Sequence, residues 1–213
     1  MNNTTVYLIR HSEPTPKSNL NIIKNTDSKQ VNNEKSFLSV SGEKKAEKMS
    51  KCDELKNLDA VYSSNYVRAL GTAKYLAQEN NTVINVDERL GERVIGDFAG
   101  MDALEFHKKQ ATDFNFKLNG GESLNETKKR MVEAMKNILM FEAGNRVAVV
   151  SHSTPLATLL SAWCEIGHNY DEEMILSYKD KTIVDGSWVA PMVFKIVFDG
   201  MNVLSIDFIN FEE

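Results

Sequence analysis

Two arginines and two histidines stand where this chain is least able to leave them without partners. Arg10 and His11 directly follow the apolar run Val6 to Ile9 in "VYLIRHSEP". Ser151 and His152 follow a second run, Val147 to Val150, and Ser63 and Ser64 follow a third, Ala60 to Tyr62, and lead to Arg68. A cation at the end of a buried strand needs a partner to offset its lost hydration. Arg68 also falls in the first turn of an expected helix, where a cation opposes the helix dipole at a cost of roughly 0.3 to 1 kcal/mol. Taken singly, a histidine at a strand end is usually structural and an arginine at a helix start is usually solvated. Together, the four point to an anion.

Two histidines would also suit a metal, but zinc and iron sites usually add a carboxylate or thiolate, and two guanidinium groups would repel the cation. Fork-shaped, permanently charged donors match a phosphoryl oxygen array. A helix opening near Thr154 and Pro155 would add backbone N–H donors. Carboxylate or sulfate would bind similarly; the histidine tips the choice to phosphate, because it can attack phosphorus while the arginines neutralise developing charge.

The elements that must position these groups alternate. Val6 to Ile9, Ala60 to Tyr62, Val83 to Val86 and Val147 to Val150 read as short strands covered on both faces. Between them, Lys44 to Leu58 and Tyr66 to Gln78 carry apolar stripes of helical period, and a helix is expected near Asp102 to Ala111. Ser123 and Glu126 have capping-box spacing ahead of a helix to about Phe141, and Thr154 and Pro155 read as N-cap and first helical residue of another. This order predicts an α/β fold, a three-layer α/β/α arrangement with a mostly parallel central sheet and helices on both faces. Val189 to Asp199 and Val203 to Phe208, joined at Asp199-Gly200, predict antiparallel C-terminal strands. In such a sheet the ligand crevice lies beyond the carboxyl ends of the strands, the edge where all four side chains fall.

The 213 residues, 42% hydrophobic and 26% charged, suit one domain, residues 1–213, with residues 15–37 as a long mobile loop rich in Asn, Lys and Ser. A net charge of -5 argues against nucleic-acid and membrane partners. The N-terminus has no basic region, and its apolar run is too short for a signal peptide, so a cytoplasmic protein is expected. Cys52 and Cys164, in helical-looking segments, are expected as free thiols.

Six ordered segments resemble the histidine phosphatase superfamily, in its branch related to cofactor-dependent phosphoglycerate mutase. They are "LIRHSEP", "LSVSG" at Leu38 to Gly42, "YSSNYVRALGTA" at Tyr62 to Ala73, "LGERVIGDFAG" at Leu90 to Gly100, "GGES" at Gly120 to Ser123, and "VVSHSTP" at Val149 to Pro155. The resemblance implies His11 as nucleophile, with Arg10, Arg68 and His152 holding the phosphoryl group and Glu92 as general acid. It implies no cofactor and no metal. Arg93, beside Glu92, would favour the ionised acid, and Glu13 is a substitute acid whose blander reading is a paired surface carboxylate.

Ser12 and Ser153 replace the glycines of the family pattern, and each would either donate to a phosphate oxygen or narrow the pocket. Pro14, Lys17, Asn65 and Ala99 also depart from it. Lys17, Arg93 and Thr154 complete the expected substrate contacts, Lys17 as a partner for a second negative charge. The expected substrate is a small phosphorylated metabolite, hydrolysed as a phosphate monoester. Mutase-type transfer is the alternative, weakened because Glu92 to Gly120 is short. A catalytically weak phosphoanion binder and a member acting on phosphorylated protein are the further alternatives.

Overall fold

Alternate residues of the first strand, β1 (Thr4–Arg10), enter two separate cores. Val6 and Leu8 pack in one hydrophobic cluster and Tyr7 and Ile9 in the other. The computed structural model describes residues 3–16, 28–170 and 173–211. In chain order the elements after β1 are α1 (Lys29–Lys35), α2 (Val40–Ser50), β2 (Ala60–Ser63), α3 (Val67–Glu79), β3 (Ile84–Val86), α4 (Ala103–Thr112) and α5 (Leu124–Phe141). There follow β4 (Arg146–Ser151), α6 (Ser153–Leu160), β5 (Glu165–His168), β6 (Met174–Tyr178), β7 (Lys181–Asp185), β8 (Met192–Asp199) and β9 (Asn202–Phe208).

The main sheet has the order β3-β2-β4-β1-β8-β9. β1, β2, β3 and β4 pair in parallel, whereas β8 pairs antiparallel to β1 and β9 to β8. Met131 and Ile138 of α5 and Leu156 and Leu159 of α6 join Val6 and Leu8 in the first core. Met49 of α2 and Ala73 and Leu76 of α3 join Tyr7 and Ile9 in the second, so helices cover both faces as expected. Among the described residues no helix is long and apolar enough to cross a membrane.

Several boundaries move for local reasons. The first long helix begins at Val40, because Ser39 caps the N–H of Gly42, and ends at Ser50, with Asp53–Leu55 a separate 3-10 turn. Ser123 and Glu126 form both halves of the capping box on α5. The last helix starts earlier than Thr154-Pro155 suggests: His152 is the N-cap, and Pro155 lies within the first turn, where a missing N–H costs nothing. β3 is an edge strand with Val86 exposed, and Val83 lies outside it.

Two larger differences matter for the site. The segment 15–37 contains the short helix α1, capped by Ser28; residues 17–27 lie outside the described residues, Lys17 with them. Thr15 N–H donates to the Phe37 carbonyl at 2.8 Å, so the excursion starts and ends at one point beside β1. A separate antiparallel sheet, β5-β6-β7, follows α6, in a stretch where periodicity marks no element. Cys52 and Cys164 are both free; they lie just beyond α2 and α6 rather than within helices.

Candidate active site

Parallel register sets the strand ends level. Arg10 lies opposite Ser151, Ser63 opposite Val150, and the His11 N–H donates to the Ser151 carbonyl at 2.9 Å. The alternation of β1 carries on past its end. Arg10 turns to the face of α6, where Nη1 donates to the Trp188 carbonyl, and His11 turns to the face of α3, where it meets Arg68.

One guanidinium joins the two imidazoles. Arg68 Nε donates to His11 Nε2 at 3.0 Å and Arg68 Nη2 to His152 Nδ1 at 3.1 Å. Because an arginine only donates, both ring nitrogens are unprotonated. His11 Nδ1–H therefore donates to the Ser12 carbonyl at 2.7 Å, and His152 Nε2–H to Ser64 Oγ at 2.9 Å. The ring centroids are 5.0 Å apart. Tyr66 braces the group, with its ring 4.9 Å below the Arg68 guanidinium and 4.8 Å from His152. Ser64 and Tyr66 fall inside the quoted segment Tyr62 to Ala73 without an assigned role; the signal for Ser64 was its place at the end of β2.

Burial, followed by the Arg68 charge, pushes His11 down to about 3, and burial holds His152 well below the ordinary histidine range. The unfolded chain, with ordinary imidazoles, thus binds more protons below about pH 6.5, and stability must fall as pH drops from there toward 3. The melting temperature of the wild type is expected to fall between pH 6.5 and 4 more steeply than that of His152→Asn. Equal slopes would mean that His152 is not held neutral.

The segment bearing Glu92 is fastened from two sides. Ser151 Oγ donates to the Leu90 carbonyl at 2.7 Å. Glu122, from "GGES", accepts the Val94 N–H at 3.1 Å and is held by Arg130 at 2.8 and 3.0 Å. A Cβ on Gly121 would lie 2.3 Å from the Ile95 carbonyl oxygen, and Gly96 opposite has a φ of +88°, so both positions need glycine. Glu92 itself is half-buried and accepts the Arg93 N–H at 2.8 Å. Burial raises its proton affinity, against the Arg93 N–H and the charges of Arg68, Arg93 and Arg130. Glu92 and Arg93 line a cavity of about 760 Å³ together with Asn33, Gly120 and Thr154. The Asn33 carbonyl accepts from Arg68 Nη1 at 2.6 Å, so α1 lies against the guanidinium.

Arg93 is 5% exposed, with its guanidinium 5.3 Å from the Phe106 ring and Nη2 3.4 Å from Gln110 Oε1. Among the described residues Arg10, Arg68 and Arg93 form no ion pair, and the buried Nε atoms of Arg10 and Arg93 have no hydrogen-bond partner. Ser153 and Thr154 open α6; both line a second cavity of about 400 Å³, and Thr154 lines the larger one as well.

Ser12 is a correction. Its hydroxyl donates to the Gly42 carbonyl at 2.7 Å and its N–H to Thr72 Oγ1 at 2.9 Å, so it offers phosphate no donor. The reason is the approach of α2: a Cβ on Gly42 would lie 2.0 Å from the Glu13 carbonyl oxygen. Glu13 pairs with Lys45 at 2.9 Å, which holds its carboxyl below the usual range and makes it a poor acid.

A guanidinium between two neutral imidazoles, with a carboxyl of raised proton affinity nearby, can receive a phosphoryl group and exchange a proton with its leaving oxygen. Relatives fit this chemistry. Phosphoserine phosphatase 1 of Hydrogenobacter thermophilus is 28% identical over 59% of this chain and 63% of its own length, so the match spans less than two thirds of that relative. The probable phosphoglycerate mutase GpmB of Serratia proteamaculans is 29% identical over 73% of each chain. The solved mycobacterial glucosyl-3-phosphoglycerate phosphatase shares the fold with a TM-score of 0.66 at 18% identity, over 92% of this chain and 90% of that one. The model of the histidine phosphatase superfamily (branch 1) matches residues 6–185, nearly the whole span from β1 to the end of β7, and the chain belongs to that superfamily.

Proposed function

We propose that this protein hydrolyses small phosphate monoesters through a phosphohistidine on His11. The observation that carries the reading is the tautomer of His11. Its Nδ1–H is committed to the Ser12 carbonyl, leaving Nε2 as a neutral nucleophile beside Arg68. On substrate binding the Arg68 donors pass from the imidazoles to phosphoryl oxygens, joined by Arg10; His152, released at Nδ1, holds a phosphoryl oxygen by taking up a proton there from the phosphate monoanion or solvent. His11 Nε2 then forms the N–P bond as the P–O bond to the leaving group breaks, and Glu92 gives that oxygen its proton. Water next attacks phosphorus, Glu92 takes its proton, and the N–P bond breaks to release inorganic phosphate. The guanidinium groups offset the developing charge, so turnover should persist in a chelator.

Incubation with a radiolabelled phosphate ester and rapid quenching should trap a phosphoenzyme that is acid-labile and base-stable. A protein that turns the ester over and yields no such adduct would sink the covalent route.

The name of the Serratia relative favours a second reading, mutase-type transfer. Transfer demands that water be kept from the phosphoenzyme, and the run from Glu92 to Gly120 adds only α4 to the walls, which supports hydrolysis. Release of phosphate from 3-phosphoglycerate, against formation of 2-phosphoglycerate, separates the two.

A further inference from the structure

The cavity of about 400 Å³ lies beside the phosphoryl site and shares Arg93 and Thr154 with the larger one. Its volume is in the range of small-ligand pockets. Trp188 lines it and accepts from Arg10 through its carbonyl, and Ser153 of its wall follows His152, so the cavity is linked to the phosphate clamp through these two residues. The β5-β6-β7 sheet and its flanking turns supply His168, Glu173, Met174 and Trp188 to one side, and Arg93 comes from the segment after Leu90.

Two opposite charges face this space without meeting. Arg93 is buried and forms no ion pair among the described residues; its guanidinium touches an amide oxygen and an aromatic face, and the carboxylates of Glu92 and Glu122 act on it only from beyond ion-pair distance. An unpaired buried guanidinium is costly, and an anion placed against it would offset that cost. Glu173 is fixed in advance of any ligand. Its Oε2 accepts from Asn169 Nδ2 at 3.0 Å, and its own N–H donates to Asn169 Oδ1 at 2.9 Å. The backbone of Gly186 lies so close that a Cβ there would be 3.0 Å from Glu173 Oε2. Glu173 too forms no ion pair among the described residues, with Arg93 or any other cation.

We propose that this cavity binds the alcohol part of the substrate and that this alcohol is a zwitterion, its carboxylate against Arg93 and its ammonium against Glu173. The substrate class is then the phosphate ester of a hydroxy amino acid. The inference rests on the phosphatase reading above and names its substrate class.

The test compares kcat/KM for O-phosphoserine, O-phosphothreonine and O-phosphotyrosine with two reference esters and p-nitrophenyl phosphate. 3-Phosphoglycerate replaces the ammonium of phosphoserine by a hydroxyl, and phosphoethanolamine lacks its carboxylate. At least one phosphoamino acid should exceed both references by about tenfold or more, the worth of one charged hydrogen bond. Glu173→Gln should lower the ratio of that phosphoamino acid to 3-phosphoglycerate about tenfold, and Arg93→Gln its ratio to phosphoethanolamine by a similar factor. Wild type that hydrolyses p-nitrophenyl phosphate yet prefers no phosphoamino acid, or unchanged ratios in the variants, would overturn the zwitterion subsite alone. Wild type that hydrolyses none of these esters would overturn the phosphatase reading and this inference with it.

Discussion

His11→Ala is expected to lower kcat by about 10⁴-fold or more and to yield no phosphoenzyme, with the fold retained. Removing a covalent nucleophile commonly has an effect of this order, because the rest of the site then only binds. His152 is a poor replacement. Its Nε2–H is tied to Ser64, and its Nδ1, though it accepts from Arg68 as His11 Nε2 does, is the ring nitrogen beside the side-chain attachment and so the more hindered toward phosphorus. The fold should survive because the strand contact at this position is made by the His11 backbone N–H to Ser151, which alanine keeps. Arg68 loses one acceptor but keeps the Asn33 carbonyl and His152. Steady-state assays with p-nitrophenyl phosphate, alongside circular dichroism and thermal melting, check both halves. Near-wild-type turnover by a folded variant would transfer the nucleophile's role to another residue.

The parts of this site that could be read from residue order are those fixed by strands. Arg10, His11 and His152 each lie within two residues of the end of an apolar run, so parallel pairing alone brings them to one edge. Arg68 was legible for a related reason, a cation in the first turn of a helix that follows a strand. Ser123 and Glu126 carried their own geometry in their spacing.

What escaped depends on contacts distant in sequence. The Ser12 hydroxyl is turned aside by Gly42, thirty residues on, and no local pattern records that approach. Glu92 stands in a stretch without regular period, held by Glu122 and Ser151, so only the family resemblance singled it out. The β5-β6-β7 sheet was hidden because β5 is exposed along its whole length and β7 has only Ile183 and Val184 buried, leaving little apolar alternation to detect. Glu173 stands just before β6 of that hidden sheet, and its sharing of a cavity wall with Arg93 is a tertiary fact. α1 lay inside a polar segment with no buried residue to mark a stripe.

Glu92→Gln separates the two roles given to Glu92, and its effect should depend on the leaving group. Glutamine keeps the size of the side chain and can still accept the Arg93 N–H, so binding should change little. With an alkyl phosphate, whose alkoxide cannot depart without a proton, kcat should fall by roughly 10² to 10⁴. With p-nitrophenyl phosphate the departing phenolate is stable unprotonated, so phosphorylation of His11 should slow far less. Hydrolysis of the phosphoenzyme still lacks its base. The variant should therefore release a burst of nitrophenolate equal to the enzyme concentration and then turn over slowly, with phosphohistidine accumulating. The pH dependence follows from the same two groups. His11 attacks only when neutral, and its proton affinity is pushed down to about 3, so activity toward an alkyl ester should persist well into acid. Glu92 donates only when protonated. Burial raises the pH at which it ionises, and a bound phosphoryl dianion raises it further, so activity should decline on the alkaline side as that proton is lost. In Glu92→Gln the alkaline decline of kcat/KM for the alkyl ester should vanish, the small residual rate no longer depending on that proton. Full activity of this variant on an alkyl phosphate, with no burst on the aryl one, would remove Glu92 from the chemistry and leave it the lesser task of fixing the Arg93 backbone.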